Sequence, residues 1–213
     1  MFYQDSQHIY RVSALEAFAW LEHGFGTRHS PDLVRDPRLA TLHQIHSAIV
    51  VAPRGRTGLI GDGDALIEST PGHLVGVKTA DCVPILLVDE EHRAVAAVHA
   101  GWRGAAQAIV QRALDRMAQE FSTRPQRLHA AIGPGIGKCC YEVGPDVAAH
   151  FGGNGTCHID LAEANRNQLA DAGVPDSQIY AARLCTKCGA RDFHSYRRDK
   201  EHSGRMLSFV GIK

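Results

Sequence analysis

Six short apolar runs, at 49–52, 73–78, 83–88, 94–98, 128–132 and 205–210, constrain this chain more than any other feature. Each is strand-sized and bounded by glycine, proline or charged residues. Between the fourth and fifth runs the period changes. Ala106, Ile109, Val110, Ala113, Leu114, Met117 and Phe121 recur at helical spacing, with Arg112, Asp115 and Arg116 on other faces. A second helix is expected to begin at Asp160, whose carboxylate caps the free amides of Leu161 to Glu163. It ends before Gly173 and Pro175, and Leu161, Ala164 and Leu169 face the core. Strands alternating with helices predict an α/β (α+β) fold. No repeat, low-complexity stretch or linker divides the 213 residues, so 1–213 is expected to form one domain.

Composition narrows the partners. Hydrophobic residues make up 44% and charged residues 22%, an ordinary soluble balance. The 23 basic and 23 acidic residues cancel, so no overall basic footprint for nucleic acid is present. The apolar runs are too short to span a membrane. Asp5, His8 and Arg11 interrupt any apolar leader core, which points to the cytoplasm. There the six cysteines are expected to be free thiols. Cys139 and Cys140 are adjacent, and Cys185 and Cys188 form a CxxC. No second CxxC follows and the thioredoxin context is lacking, which argues against a zinc ribbon or a redox motif.

Three residues stand out chemically: His46, Cys82 and His99. Two imidazoles and a thiolate suit zinc, and three protein ligands leave a fourth position open, as in catalytic sites. An open zinc position brings the pKa of a bound water from about 15.7 to near 7. Copper is the competing ion, since it binds such donors more tightly. With 13 histidines in the chain, however, spacing alone favours an ordinary surface or core role for each. Cys82 and His99 lie at the ends of apolar runs, where binding residues gather, which makes these two better candidates without reversing that preference.

Around them the sequence offers further candidates. A strand, a glycine turn and a helix carry His99 and Arg103 towards a helix N-terminus, where an anion such as phosphate is favoured. Arg28 and Arg103 are candidate phosphate ligands because a guanidinium matches phosphate oxygens as a planar fork. Asp81 is expected to orient a ligand histidine, to act in proton transfer, or only to cap backbone amides. The string from Gly133 to Gly137 either cradles an anion or simply turns. Cys139, Cys140, Tyr141 and Glu142 are expected to line the pocket, with Glu142 as acid or base and Tyr141 stacking or hydrogen bonding. The string from Ser195 to Asp199 closes the site or pairs internally.

Taken in order, the strings Gln44-Ile-His-Ser47, Asp62-Gly-Asp-Ala-Leu66, Ala80-Asp-Cys-Val-Pro84, His99-Ala-Gly-Trp-Arg-Gly104, Gly133-Pro-Gly-Ile-Gly-Lys-Cys-Cys-Tyr-Glu-Val-Gly144, Leu184-Cys-Thr186 and Phe193-His-Ser-Tyr-Arg-Arg-Asp199 followed by Gly204-Arg205 carry a resemblance. The chain resembles the peptidoglycan editing factor family, also called the multicopper polyphenol oxidase or laccase-domain family. The resemblance runs from about His23 to the C-terminus, and since of the CxxC it covers Cys185 alone, Cys188 is read as incidental. It implies mixed β-sheets packed between helical layers and metal ligands at His46, Cys82 and His99. It also implies a zinc-dependent purine nucleoside phosphorylase acting on inosine, adenosine, guanosine or methylthioadenosine, with adenosine deaminase activity in some members. Purine nucleosides and phosphate are then the partners of a monomer or homodimer. After His23-Gly-Phe-Gly-Thr-Arg28 the family's usual Gly-Gly-Val-Ser turn is replaced by His29-Ser-Pro-Asp-Leu33, which implies a shortened substrate-covering loop. The rival readings are a metal-free Cys82/His99 hydrolase, a copper-dependent phenol oxidase, and a protein that binds or hydrolyses a peptidoglycan precursor.

Overall fold

A computed structural model describes residues 1–213. All six apolar runs are strands, and they belong to two mixed sheets. Seven strands make the first sheet. Their order across it is β1 (Phe2–Gln4), β2 (Tyr10–Val12), β3 (Leu21–Phe25), β15 (Met206–Ile212), β8 (Leu74–Thr79), β4 (Leu39–His43) and β6 (Gly58–Asp62). Six make the second: β14 (Ile179–Ala181), β11 (Leu128–Ile132), β9 (Val83–Asp89), β10 (Ala94–Ala100), β7 (Ala65–Glu68) and β5 (Val50–Val51). A separate ribbon joins β12 (Glu142–Val143) to β13 (Cys157–His158).

Burial explains why β9 and β10 read as continuous apolar runs. Every residue in both strands is buried, because each face of their sheet is covered. Side chains alternate between two cores. Ile85, Leu87, Ala94, Ala96 and Val98 meet the helices. Leu86, Val88, Val95 and Ala97 meet the other sheet through Phe25, Val75, Val77 and Val210. Continuing that alternation puts Cys82 and His99, one at the head of β9 and one near the end of β10, on the face towards the first sheet.

The expected helix over 106–121 is two helices. α1 (Trp102–Ala106) ends, Ala108 takes a left-handed conformation with φ 55°, and α2 (Ile109–Phe121) begins. The break has a packing cause. A Cβ at Gly104 would lie 3.3 Å from the Ser47 carbonyl oxygen and 3.5 Å from that of His99, so α1 is pinned to the end of β10. The stripe Ile109, Val110, Ala113, Leu114 and Met117 must instead lie along the sheet. A short α3 (Pro145–Ala148) follows β12. The second expected helix is α4 (Leu161–Asp171), and its Asp160 cap accepts the Glu163 amide at 3.0 Å. Leu161 and Leu169 are buried, whereas Ala164 is half-buried. α5 (Tyr196–Asp199) precedes β15. No helix is long and apolar enough to cross a membrane.

Nine strands, among them β3, β4 and β7, lie outside the six runs. β3 carries Glu22, His23 and Gly24 among its five residues, and its pairing with β15 makes it a strand. Its His23 is 4% exposed and accepts the Val12 amide on Nε2 at 3.0 Å. Burial first, then the charges of Arg11 and Lys213, push this imidazole down to about 4. The unfolded chain protonates His23 near 6.5, so this contribution to stability is complete above that pH and declines as pH falls towards 4. We expect urea unfolding to lose up to about 1.4 kcal/mol per pH unit across this window from His23 alone. His23→Gln, which cannot titrate, should show a shallower decline; an unchanged slope would refute the assignment.

Candidate functional site

His46, Cys82 and His99 converge. Their ligating atoms lie within 4.8 Å of one another, although the residues come from the loop after β4, the head of β9 and the end of β10. The two imidazole rings meet edge to face with centroids 5.0 Å apart. His46 is exposed towards a cleft, Cys82 half-buried and His99 buried.

Asp64 holds this arrangement together. Its carboxylate is fully buried immediately before β7. It accepts the amides of Ile45 at 3.3 Å, His46 at 3.0 Å and Ser47 at 2.6 Å, and the Ser47 hydroxyl at 2.7 Å. His99 Nδ1 donates to it at 2.8 Å, which leaves Nε2 for other work. Burial alone would raise this carboxyl, but the bonds from His99 and Ser47 win and bring it to about 2. His46 is thereby held in the left-handed region at φ 58°, a conformation that a residue other than glycine keeps only when its surroundings enforce it. Gln44 anchors the same loop, since its amide pairs with both backbone groups of Lys78 at 2.7 and 2.8 Å.

Electrostatics couple the three groups. Burial would raise the Cys82 thiol, but His46 and His99 outweigh it and lower it to about 6. Burial would lower His99, but Asp64 and then Cys82 raise it to about 9. Gly101 is needed for the close approach. A Cβ there would sit 3.0 Å from Cys82 Sγ and 3.2 Å from His46 Cδ2.

The cleft above them has a volume of about 700 Å³, within the range of small-molecule sites. Its walls carry Trp102, Tyr141 and Tyr196 as aromatic surfaces, and Lys78, Arg197, Lys200 and Arg205 as cations. The Arg197 guanidinium lies 5.3 Å from the Tyr141 ring centroid. Burial and then Cys82 push the Tyr141 hydroxyl up to about 12, so it remains a proton-bearing donor at neutral pH.

Known proteins share this chain's sequence and shape. Residues 28–213 match the family described as multi-copper polyphenol oxidoreductase laccase. The chain belongs to this family. A purine nucleoside phosphorylase of Deinococcus radiodurans is 43% identical over 183 residues, covering 81% of this chain and 70% of the relative. An adenosine deaminase named RL5, from an unknown prokaryotic organism, is 42% identical over 163 residues, covering 70% of this chain and 61% of its own length. The crystal structure of YlmD from Geobacillus stearothermophilus superposes with a TM-score of 0.91 at 29% identity, covering 100% of this chain and 98% of that one.

In this member of the family the other expected residues scatter. Asp81 and Tyr141 line the cleft. Asp81 orients no histidine: one carboxylate oxygen accepts the Thr186 hydroxyl at 2.6 Å and the other the Arg197 amide at 2.6 Å. The orienting contact belongs to Asp64. Arg28, Arg103, Cys139 and Glu142 are not among the lining residues. Arg28 donates to the Ala190 carbonyl at 2.9 Å, and Arg103 stacks 4.5 Å from the Trp102 centroid. Glu142 is exposed on β12 and Cys139 faces other cysteines. Nor does the string from Gly133 to Gly137 cradle an anion. Gly133, Gly135 and Ile136 donate their amides to the carbonyls of Pro84, Leu184 and Asp81, and Gly137 donates to Cys185 Sγ. A Cβ at Gly133 would fall 2.2 Å from Phe25, so packing requires that glycine. In the string from Ser195 to Asp199 the roles divide. Arg197 enters the cleft, while Arg198 pairs with Asp199 and the carbonyls of Thr186, Lys187 and Phe193.

Asp64→Asn removes a buried charge from five donors, and we expect it to cost about 3 kcal/mol of folding stability. A denaturation midpoint equal to wild type would show that these bonds do not hold the loop.

Proposed function

We propose that the protein is a zinc-dependent purine nucleoside phosphorylase acting on inosine and adenosine, with guanosine and methylthioadenosine as further substrates. One observation carries the reading. A two-imidazole, one-thiolate donor set stands at the base of a cleft whose walls combine aromatic faces with four cations. The donors fit zinc, because Asp64 fixes the His99 tautomer and Gly101 leaves the space that a side chain would fill. His46, Cys82 and His99 would hold the ion. Bound there, zinc supplies a Lewis acid with one open position.

The chain's own groups supply the rest. Trp102, Tyr141 and Tyr196 offer faces for a flat purine. Lys78, Arg197, Lys200 and Arg205 attract and orient phosphate, with Arg197 supplying a bidentate fork. In the reaction a phosphate oxygen bonds to ribose C1′ as the C1′–N9 bond breaks, and the departing purine takes up a proton. The Tyr141 hydroxyl, protonated at neutral pH, is the wall group assigned to supply it. Asp81 acts by placing Arg197, whose amide it holds. In adenosine deamination at the same site the reacting carbon is instead the purine C6: a water oxygen bonds to it as the bond to the exocyclic nitrogen breaks, and that nitrogen leaves as ammonia. The names of the Deinococcus radiodurans and RL5 relatives support both activities.

A second reading rests on Cys82, which near pH 7 is a thiolate between two imidazoles and so is itself a poised nucleophile. Metal dependence separates the two. We expect hypoxanthine release from inosine to require phosphate, to stop on chelation and return with zinc, and to fall at least about 100-fold in His46→Ala and Cys82→Ala. Full activity in metal-free protein would favour the cysteine nucleophile. Arg197→Ala should raise the KM for phosphate about tenfold, a loss near 1.4 kcal/mol, with zinc content unchanged. An unaltered phosphate KM would remove Arg197 from phosphate binding.

A further inference from the structure

A second group of metal-binding side chains lies outside the cleft lining. Cys139, Cys140, Cys185 and Cys188 place their four sulfurs within 4.8 Å of one another. Cys140 Sγ is 3.3 Å from Cys188 Sγ, and Cys139 Sγ is 3.7 Å from it. All six cysteines of the chain are free. A disulfide needs its sulfurs about 2.05 Å apart. A zinc ion with four sulfurs at about 2.3 Å sets them about 3.8 Å from each other, by the geometry of a tetrahedron. The observed spacings are too long for a disulfide and fall around the second arrangement, with 3.7 Å close to it and 3.3 Å shorter.

The backbone, not chance proximity, brings these thiols together. Gly135 and Cys185 form a parallel bridge, with the Thr186 amide on the Gly135 carbonyl at 2.9 Å and the Gly135 amide on Leu184 at 3.3 Å. Each cysteine pair sits on a tight turn. The Cys140 amide reaches the Gly137 carbonyl at 2.9 Å, and the Gly189 amide reaches the Cys185 carbonyl at 2.9 Å. The Gly137 amide also donates to Cys185 Sγ at 3.2 Å, a contact that favours a thiolate. Gly137 has no room for more: a Cβ there would lie 3.2 Å from Cys185 Cβ and 3.3 Å from Cys139 Sγ. Thiols are weak hydrogen-bond partners, and four thiolates at this spacing repel unless a cation lies among them.

We propose that these four cysteines bind a structural zinc ion, separate from the His46, Cys82 and His99 site and closed by four sulfur ligands. The ion joins the 133–143 segment to the 184–199 segment, and these two segments wall the cleft. Ile136 and Tyr141 come from the first, Tyr196 and Arg197 from the second. Thr186, next to Cys185, holds Asp81. The zinc therefore staples a wall without taking part in the reaction.

Elemental analysis of the full chain, purified under reducing conditions with zinc, tests this directly. Wild type should hold about two zinc ions per chain, and both Cys185→Ser/Cys188→Ser and His46→Ala/Cys82→Ala should hold about one. Cobalt loaded into His46→Ala/Cys82→Ala should give the intense thiolate charge-transfer and ligand-field bands of a tetrahedral sulfur site. X-ray absorption of the same variant loaded with zinc should show four sulfurs at about 2.3 Å. Cys188→His, which keeps a ligand, should retain the zinc if the serine variant fails to fold. A wild type with one zinc that the Cys185→Ser/Cys188→Ser change leaves in place would overturn the proposal. So would a thiol count and a mass about 2 Da low that report a disulfide. One zinc lost in that serine variant but not in His46→Ala/Cys82→Ala would uphold this site and sink the catalytic one.

Discussion

The Asp64 carboxylate is the point on which the site depends. A charge with no exposure must be paired, and this one is paired with the loop carrying His46 and with the ring of His99. Those partners lie 18 and 35 residues away in sequence. One buried anion thus locks the start of β7, the turn after β4 and the end of β10 into a single unit. With its carboxyl near 2, Asp64 stays ionised over the whole physiological range, so its bonds to the loop and to His99 hold throughout it. The left-handed backbone of His46 follows from the same bonds.

The double-faced second sheet supplies the other half of the geometry. Because β9 and β10 are covered on both sides, their register is set by two cores at once, and a slip by one residue would send every side chain to the wrong face. His99 lies opposite Pro84 across the ladder, and Val83 opposite Ala100, which leaves Cys82 just beyond the paired residues beside Gly101. The strand ends are therefore rigid mounts for reactive groups. Above them, Tyr196 and Arg197 enter the cleft from α5.

Much of this was legible before the fold was known. The apolar runs named the central strands, Asp160 named a helix cap, and the motif strings named the family and the trio His46, Cys82 and His99. Periodicity missed the break at Ala108 because the break comes from contact of Gly104 with the Ser47 and His99 carbonyls, which no local pattern records. It missed β3 because a strand holding Glu22, His23 and Gly24 owes its state to pairing with β15. Asp64 stood inside a quoted motif, yet nothing in its neighbours links it to a histidine 35 residues on. Arg28 and Arg103 were plausible phosphate ligands by type, and the fold turned both to other partners. Cys188 seemed incidental because the second half of its cluster is Cys139 and Cys140, brought alongside by the Gly135–Cys185 bridge.

By itself the sequence determined the central strands and the apolar stripe of the main helix, because burial leaves apolar runs and a period of 3.6 residues that any reader can count. It also determined which donor atoms are on offer, since residue chemistry does not depend on the fold. Tertiary structure alone decided which of them meet. Contact between residues far apart in the chain is set by sheet order, strand register and the pairing of buried charge, and none of these leaves a local mark.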